Sequence, residues 1–167
     1  MEIRALTCAD AELYWKIRLE ALETEPLAFT ESAAEHRTKS VESAAVRLGS
    51  GHDENFVMGA LVDGQLVGMT GFFRRVEEKT RHRGGVWGVY VKPDFRRQGI
   101  AHSLMSAVIS RARTQVGLEQ ITLAVSTEKA AGKALYASLG FKPCQVEPHA
   151  LKVGDKYVDE EWMMLRL

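Results

Sequence analysis

At 167 residues, with 46% hydrophobic and 26% charged positions, the chain is long enough for one domain with its own core and too apolar to be disordered. Its 22 basic and 22 acidic residues cancel to a net charge of zero, which argues against broad nucleic-acid binding, a mode that needs a basic surplus. Cys8 and Cys144 stand far apart without Cys-x-x-Cys spacing, so neither a zinc site nor a disulfide framework is indicated, and reduced thiols in a cytoplasmic protein are expected.

Glu2, Arg4 and Asp10 open the chain, and no long apolar run follows, so neither a signal peptide nor a membrane span is expected. Residues 1–6 read as a short edge strand with Ile3 and Ala5 on one side. Thr7 or Asp10 then caps a helix in which Leu13, Ile17 and Ala21 share a face and which must end before Pro26. Residues 25–31 have no period but carry Leu27 and Phe29; such a loop either packs over the first helix or walls a substrate site. Val41, Ala44, Ala45 and Leu48 recur at i, i+3, i+4 and i+7 after Ser40, which predicts a second short helix stopped by Gly49 and Gly51. Residues 56–62 and 66–73 are strand-like runs joined by Asp63-Gly64, a dipeptide that favours a two-residue hairpin, so they should be antiparallel neighbours. The charged run 77–83, His82 included, reads as solvated surface leading to the next strand.

Residues 86–91 form a β-branched and aromatic strand, ended by Pro93. Ile100, Leu104 and Val108, with Met105, Ile109 and Ala112 beside them, give one broad apolar stripe at helical period. Ile121, Leu123 and Val125 alternate in a strand that runs parallel to the first, because a helical crossover joins parallel strands. Residues 129–139 are helical in propensity, Gly140 stops that helix, and Phe141 re-enters the core. Residues 144–153 and 156–167 flank a Gly154-Asp155 turn as a final hairpin, and Trp162 and Met164 on it mark where a homodimer would form. No repeat, low-complexity tract or linker interrupts residues 1–167.

The connection from strand to helix carries the chemistry. In Arg96-Arg97-Gln98-Gly99-Ile100-Ala101, Gly99 has no Cβ and Ala101 only a methyl, so a ligand can approach the backbone closely. The first amides of the helix lack intrahelical acceptors and sit at its positive dipole end, which makes the loop an anion site reinforced by Arg96 and Arg97. The loop lacks both the P-loop pattern and the Gly-x-Gly-x-x-Gly of a dinucleotide fold, which demotes those readings.

Arg-x-x-Gly-x-Ala, preceded by Val-Tyr-Val-Lys-Pro, resembles the pyrophosphate-binding signature of the GCN5-related N-acetyltransferases (GNAT). Leu135-Tyr136-Ala137-Ser138-Leu139-Gly140-Phe141 resembles the Leu-Tyr-x-x-x-Gly-Phe segment of the same family. The resemblance implies an α/β, GNAT-like fold with a mixed central sheet whose parallel strands splay around acetyl-CoA, and it implies no metal. It implies pantetheine contacts from the main chain of Val89, Tyr90 and Val91, and pyrophosphate contacts from the loop through Gln98, Gly99, Ile100, Ala101 and His102, the last as a backbone donor. Tyr136 would be the general acid, the alternative being that its ring packs under the cofactor, and an amide near Val89 would face the thioester oxygen.

The acid is easier to name than the base. An amine must be neutral to attack, yet its reference pKa is about 10.4, so a base or desolvation must remove the proton. Gly84, Gly85 and Gly88 occupy the strand where some family members carry a glutamate, leaving a water relay to Glu31, Glu77 or Glu128. Lys129 and Gly132 replace the family's usual Asn and Ala; Lys129 cannot accept a pantetheine hydrogen bond, although it or Lys133 can reach a phosphate. Phe29 and Glu31 are the candidate acceptor-side residues. The expected activity is transfer of an acetyl group to a primary amine of a small molecule or peptide by direct attack in a ternary complex. The competing reading is a noncatalytic CoA-binding sensor of the same fold.

Overall fold

A computed structural model describes residues 1–49 and 53–167. Seven strands form one mixed sheet in the order β1-β2-β3-β4-β5-β7-β6, with β1 (Glu2–Ala5) and β6 (Lys142–Val153) at its edges. Helix α1 (Ala11–Thr24), the single turn α2 (Ala33–Arg37) and α3 (Val41–Gly49) follow β1, and then β2 (Asn55–Val62) and β3 (Gln65–Arg74) form a hairpin. Asp63 and Gly64 at its tip have φ of 49° and 78°, the left-handed pair that a two-residue turn of this hand requires. The remaining elements are β4 (Arg83–Val91), α4 (Ile100–Arg113), β5 (Gln120–Ser126), α5 (Ala130–Ser138) and β7 (Lys156–Arg166).

Both faces of the sheet are covered, which is why β2 and β3 are buried almost continuously rather than in alternation. Leu104, Met105 and Val108 of α4 are fully buried against Phe72, Val67 and Ile121 on one face. On the other, Tyr14, Ile17 and Ala21 of α1 and Leu48 of α3 pack on Val57, Met69 and Tyr90. The α4 stripe read from the sequence is therefore a core face; on α1, Ile17 and Ala21 are buried as expected, but Leu13 is 38% exposed, because Tyr14 is the residue that falls on the arc of Ile17 and Ala21 meeting the sheet.

Four elements differ from the sequence expectation, each for a local reason. Helix α2 was not expected: Ser32 Oγ accepts the Glu35 N–H at 3.1 Å while Glu35 accepts the Ser32 N–H at 2.7 Å, a reciprocal cap that supports one turn without an apolar period. Strand β4 begins at Arg83 rather than 86, taking in Gly84 and Gly85. A Cβ on Gly84 would lie 2.7 Å from the Phe72 ring, and one on Gly85 would lie 2.4 Å from the Phe73 ring, so two aromatic faces occupy the space that side chains would need. Strand β6 begins at Lys142, two residues early, and the charged run 77–83 contains a short 3-10 turn before Arg83 joins β4. Helix α3 ends at Gly49 as expected; the second proposed stop, Gly51, lies outside the described residues.

Asp10 ties β1 to the start of α1. Arg4 donates to both of its carboxylate oxygens at 2.7 Å and the Thr7 N–H donates at 2.8 Å, which together hold its carboxyl down at about 2 against burial. Because the folded-state value lies below the ordinary 3.8, the stabilisation is present above about pH 4 and is lost as pH falls through about 2. Asp10→Asn is expected to cost about 2 kcal/mol at pH 7. Urea midpoints at pH 7, 4 and 2 should show the wild type and the variant converging at the acid end.

No helix among the described residues is long and apolar enough to cross a membrane. Cys8 and Cys144 are both free and exposed. On the final hairpin, Trp162 Nε1 donates to Glu147 at 3.0 Å, and Val146 and Tyr157 are exposed.

Candidate active site

The sheet opens in its middle. Strands β4 and β5 pair in parallel only over Arg83–Gly85 against Gln120–Thr122 and then diverge, so the β5-facing backbone groups of β4 beyond Gly85 have no strand to pair with. The gap is a cavity of about 670 Å³ walled by β4, the loop into α4, the end of β5 and α5. On its other side β4 bulges. Met69 pairs with Tyr90 and Gly71 with Trp87, leaving Gly88 and Val89 together opposite Thr70. Gly88 takes φ +67°, the conformation such a bulge assigns to glycine, and both bulge residues line the cavity.

The loop from 96 to 102 has the form of an anion cradle. Arg97 and Gly99 both adopt positive φ, 61° and 78°, and Gly99 precedes the first residue of α4. A Cβ on Gly99 would meet nothing within 4 Å, so the space above the helix start is open. The first helical bond runs from the Ser103 N–H to Gly99 C=O at 3.0 Å, which leaves the amides of Ile100, Ala101 and His102 without helical acceptors. Arg96 turns across this entrance, donating from Nε to Val91 C=O at 2.9 Å and pairing through Nη2 with Glu25 at 3.1 Å. Lys129, on the opposite bank at the start of α5, pairs with the same Glu25. Burial alone would raise the Glu25 carboxyl, but bonds from Lys129 and Arg96 outweigh it and bring it below the usual range.

Tyr136 projects from α5 into the same cavity beside Gly132 and Leu135. Its ring is buried edge-on to Phe141 at 6.1 Å, and burial pushes the phenol up to about 12. A phenol of that kind stays protonated throughout the physiological range and is available as a donor.

Val89, Val91, Arg97, Ile100, Ala101 and His102 also line the cavity, as does Phe29. Tyr90 contributes its main chain, while its hydroxyl points to the other face and meets Thr24 at 3.0 Å and Glu20 at 3.1 Å. Three sequence candidates turn elsewhere: Gln98 donates to Asp94 C=O at 3.3 Å, Lys133 pairs with Glu161 at 3.2 Å, and Glu31 sits behind Phe29 in a cluster of cations. Glu31 accepts from Lys39 at 2.7 Å and Arg18 at 3.0 Å, with His36 at 3.3 Å; burial opposes them, but they hold its carboxyl at about 2, far too acidic to take a proton from an amine. Glu77 bonds Thr80 at the surface, and Glu128 pairs with Lys156 at 2.9 Å.

Sequence reasoning passed over Trp87, Glu25, Arg18 and Glu160. Trp87 lines the cavity next to Gly88. Glu160 on β7 lies opposite Ser126, which with Ala124 lines the cavity, and the alternation of a strand puts Glu160 on that same sheet face. Burial and then the facing Glu147 raise its carboxyl above the ordinary value, the reverse of Glu31. Arg18 stands on the buried face of α1 with Tyr14, Ile17 and Ala21, a face the sequence reading draws through Leu13 instead of Tyr14.

The sequence model of the Acetyltransferase (GNAT) family matches residues 15–141. An L-methionine sulfoximine/L-methionine sulfone acetyltransferase of Pseudomonas aeruginosa is 34% identical over 79 residues, 47% of this chain and 45% of that protein, so the match spans less than half of that relative. Among solved structures, an acetyltransferase of the GNAT family from Streptococcus pneumoniae superposes with a TM-score of 0.90 at 19% identity, covering 99% of both chains. A GNAT superfamily phosphinothricin acetyltransferase from Sinorhizobium meliloti, solved in complex with acetyl-CoA, gives 0.82 at 20% identity over 99% of this chain and 88% of that one.

Proposed function

The chain belongs to the GNAT acetyltransferase family, and from that premise we propose that it is an acetyl-CoA-dependent N-acetyltransferase acting on a primary amine. The observation that carries this reading is the open, amide-lined start of α4 facing a gap in the sheet, with a protonated phenol on the opposite wall. The residues fit the cofactor: Gly99 leaves room above three unpaired amides for a diphosphate, Arg97 adds charge, and the unpaired edge of β4 from Val89 to Val91 suits the amides of a pantetheine arm. Bound acetyl-CoA supplies a thioester carbonyl for direct attack by a neutral amine.

This chain's own groups then have three tasks. The bulge amide at Val89 stabilises charge developing on the carbonyl oxygen. Tyr136 donates its proton toward the departing sulfur. Glu160, whose raised carboxyl is the best matched to a proton-accepting role, takes the amine proton through water. Glu160→Gln is expected to lower kcat by roughly 10²-fold. In the wild type the rate should fall with acid as Glu160 protonates, at a pH above the ordinary carboxylate value because its carboxyl is raised, and the variant should lose that limb.

The direct test is thiol release from acetyl-CoA over a panel of amines that includes L-methionine sulfone, with native mass spectrometry for cofactor binding. One thiol released per acetylated amine supports the reading. Tight CoA binding without turnover on any amine overturns it in favour of a sensor.

A further inference from the structure

We propose that Arg18 receives a carboxylate on the acceptor, so that the preferred amines are amino acids rather than simple alkylamines or polyamines. The inference rests on the acetyltransferase reading above and names the substrate class for the same site.

Arg18 occupies the buried stripe of α1, and its side chain is only 8% exposed. A guanidinium cannot discard its proton, so the chain has placed a permanent charge in a wall where an apolar residue would pack at less cost. Burial on that scale calls for every N–H to be paired. Nε and Nη2 are: both donate to Glu31 Oε2, at 3.2 and 3.0 Å. Nη1 has no partner although it is buried.

The direction of that unpaired donor matters. The Arg18 guanidinium stands 4.8 Å from the ring centre of Phe29 and 5.8 Å from that of Trp87, and both rings line the cavity. The position a Cβ would take on Gly88 has Arg18 Nη1 as its nearest atom, at 3.4 Å. Gly88 lines the cavity at the β4 bulge while Arg18 itself does not, so the missing Cβ leaves the space through which a ligand in the cleft would approach Nη1.

Charge points the same way. The single carboxylate of Glu31 serves both Arg18 and Lys39, two permanent cations for one anion. Lys39 is half exposed, so water screens its share, whereas the Arg18 guanidinium is buried beside two aromatic rings. A carboxylate fills that deficit with a charge-assisted bond of the kind an arginine makes best. An amine with no anion would leave Nη1 without a partner.

The test pairs each of a panel of L-amino acids with its α-amide and its decarboxylated amine, and compares kcat/KM for acetylation. The acid is expected to exceed the amide by about tenfold to hundredfold, carried by KM. Arg18→Lys keeps the charge beside Glu31 but loses the fork, and should bring kcat/KM for the acids down to the level of their amides. Binding of the matching carboxylic acids that lack the amine, measured by calorimetry on the wild-type protein with CoA present, reads the same contact without turnover or a folded variant. Acids and amides acetylated alike would overturn the role of Arg18 and leave the acetyltransferase reading intact. Carboxylic acids that bind while no amine is acetylated would overturn the transferase reading and leave the carboxylate contact standing.

Discussion

Tyr136→Phe is expected to lower kcat for acetyl transfer by roughly 10²- to 10⁴-fold, the range for a positioned general acid, with little change in CoA affinity. The substitution removes one oxygen and keeps the ring against Phe141, so packing survives and the loss is confined to the donor. Burial holds the phenol at about 12, so the wild-type rate should show no basic limb from Tyr136 below about pH 11. Sulfur becomes basic only as the C–S bond breaks and it turns from thioester into a thiolate with a reference pKa near 8.5, which is why a donor aimed at sulfur matters late in the reaction. Single-turnover kinetics of the variant separate the step from product release. An unchanged rate would reduce Tyr136 to a ring that packs under the cofactor.

The largest stability effect is expected at Gly84→Val. A Cβ there would sit 2.7 Å from Cε2 and Cζ of Phe72 and 3.1 Å from the Phe73 carbonyl oxygen. Phe72 cannot retreat, being fully buried and stacked on Phe56 at 5.1 Å. Overpacking of this kind costs about 2–3 kcal/mol, which lowers the melting temperature by about 5–10 °C for a chain of this length. Gly84 also pairs with Ile121 in the three-residue ladder from which the cleft opens, so CoA affinity should fall together with stability. Differential scanning calorimetry and a CoA titration on the same variant check both. A melting temperature within about 1 °C of the wild type would mean that the Phe72 ring has room to move.

The contrast between these two positions shows what the amino-acid order conveys by itself. Tyr136 stood in a recognisable segment, and the apolar stripe of α4 announced one core face, while on α1 the sequence named Ile17 and Ala21 but put Leu13 where Tyr14 packs. The Asp63-Gly64 turn fixed the hairpin because its backbone demand is local. Gly84 and Gly85 were opaque: glycine weakens a strand in isolation, and only the register against Phe72 and Phe73 reveals why no side chain is tolerated. Glu160 was hidden for a similar reason, since its proximity to Ser126 comes from pairing across 34 positions of sequence. The single-turn α2 carried its Ser32 to Glu35 cap in plain view but too few residues for any period. The acceptor wall, assembled from α1, the loop after it and β4, has no contiguous signature.

Glu25 leaves the entrance already occupied. Its carboxylate already joins Arg96 on one bank to Lys129 on the other, so the entrance holds an anion of its own before any phosphate arrives. An incoming phosphate therefore trades places with a resident carboxylate rather than filling bare charge, and the net electrostatic change is small in either direction. Release from the two cations also lets go of the end of α1, four residues before Phe29, so the doorway and the acceptor wall share one tether.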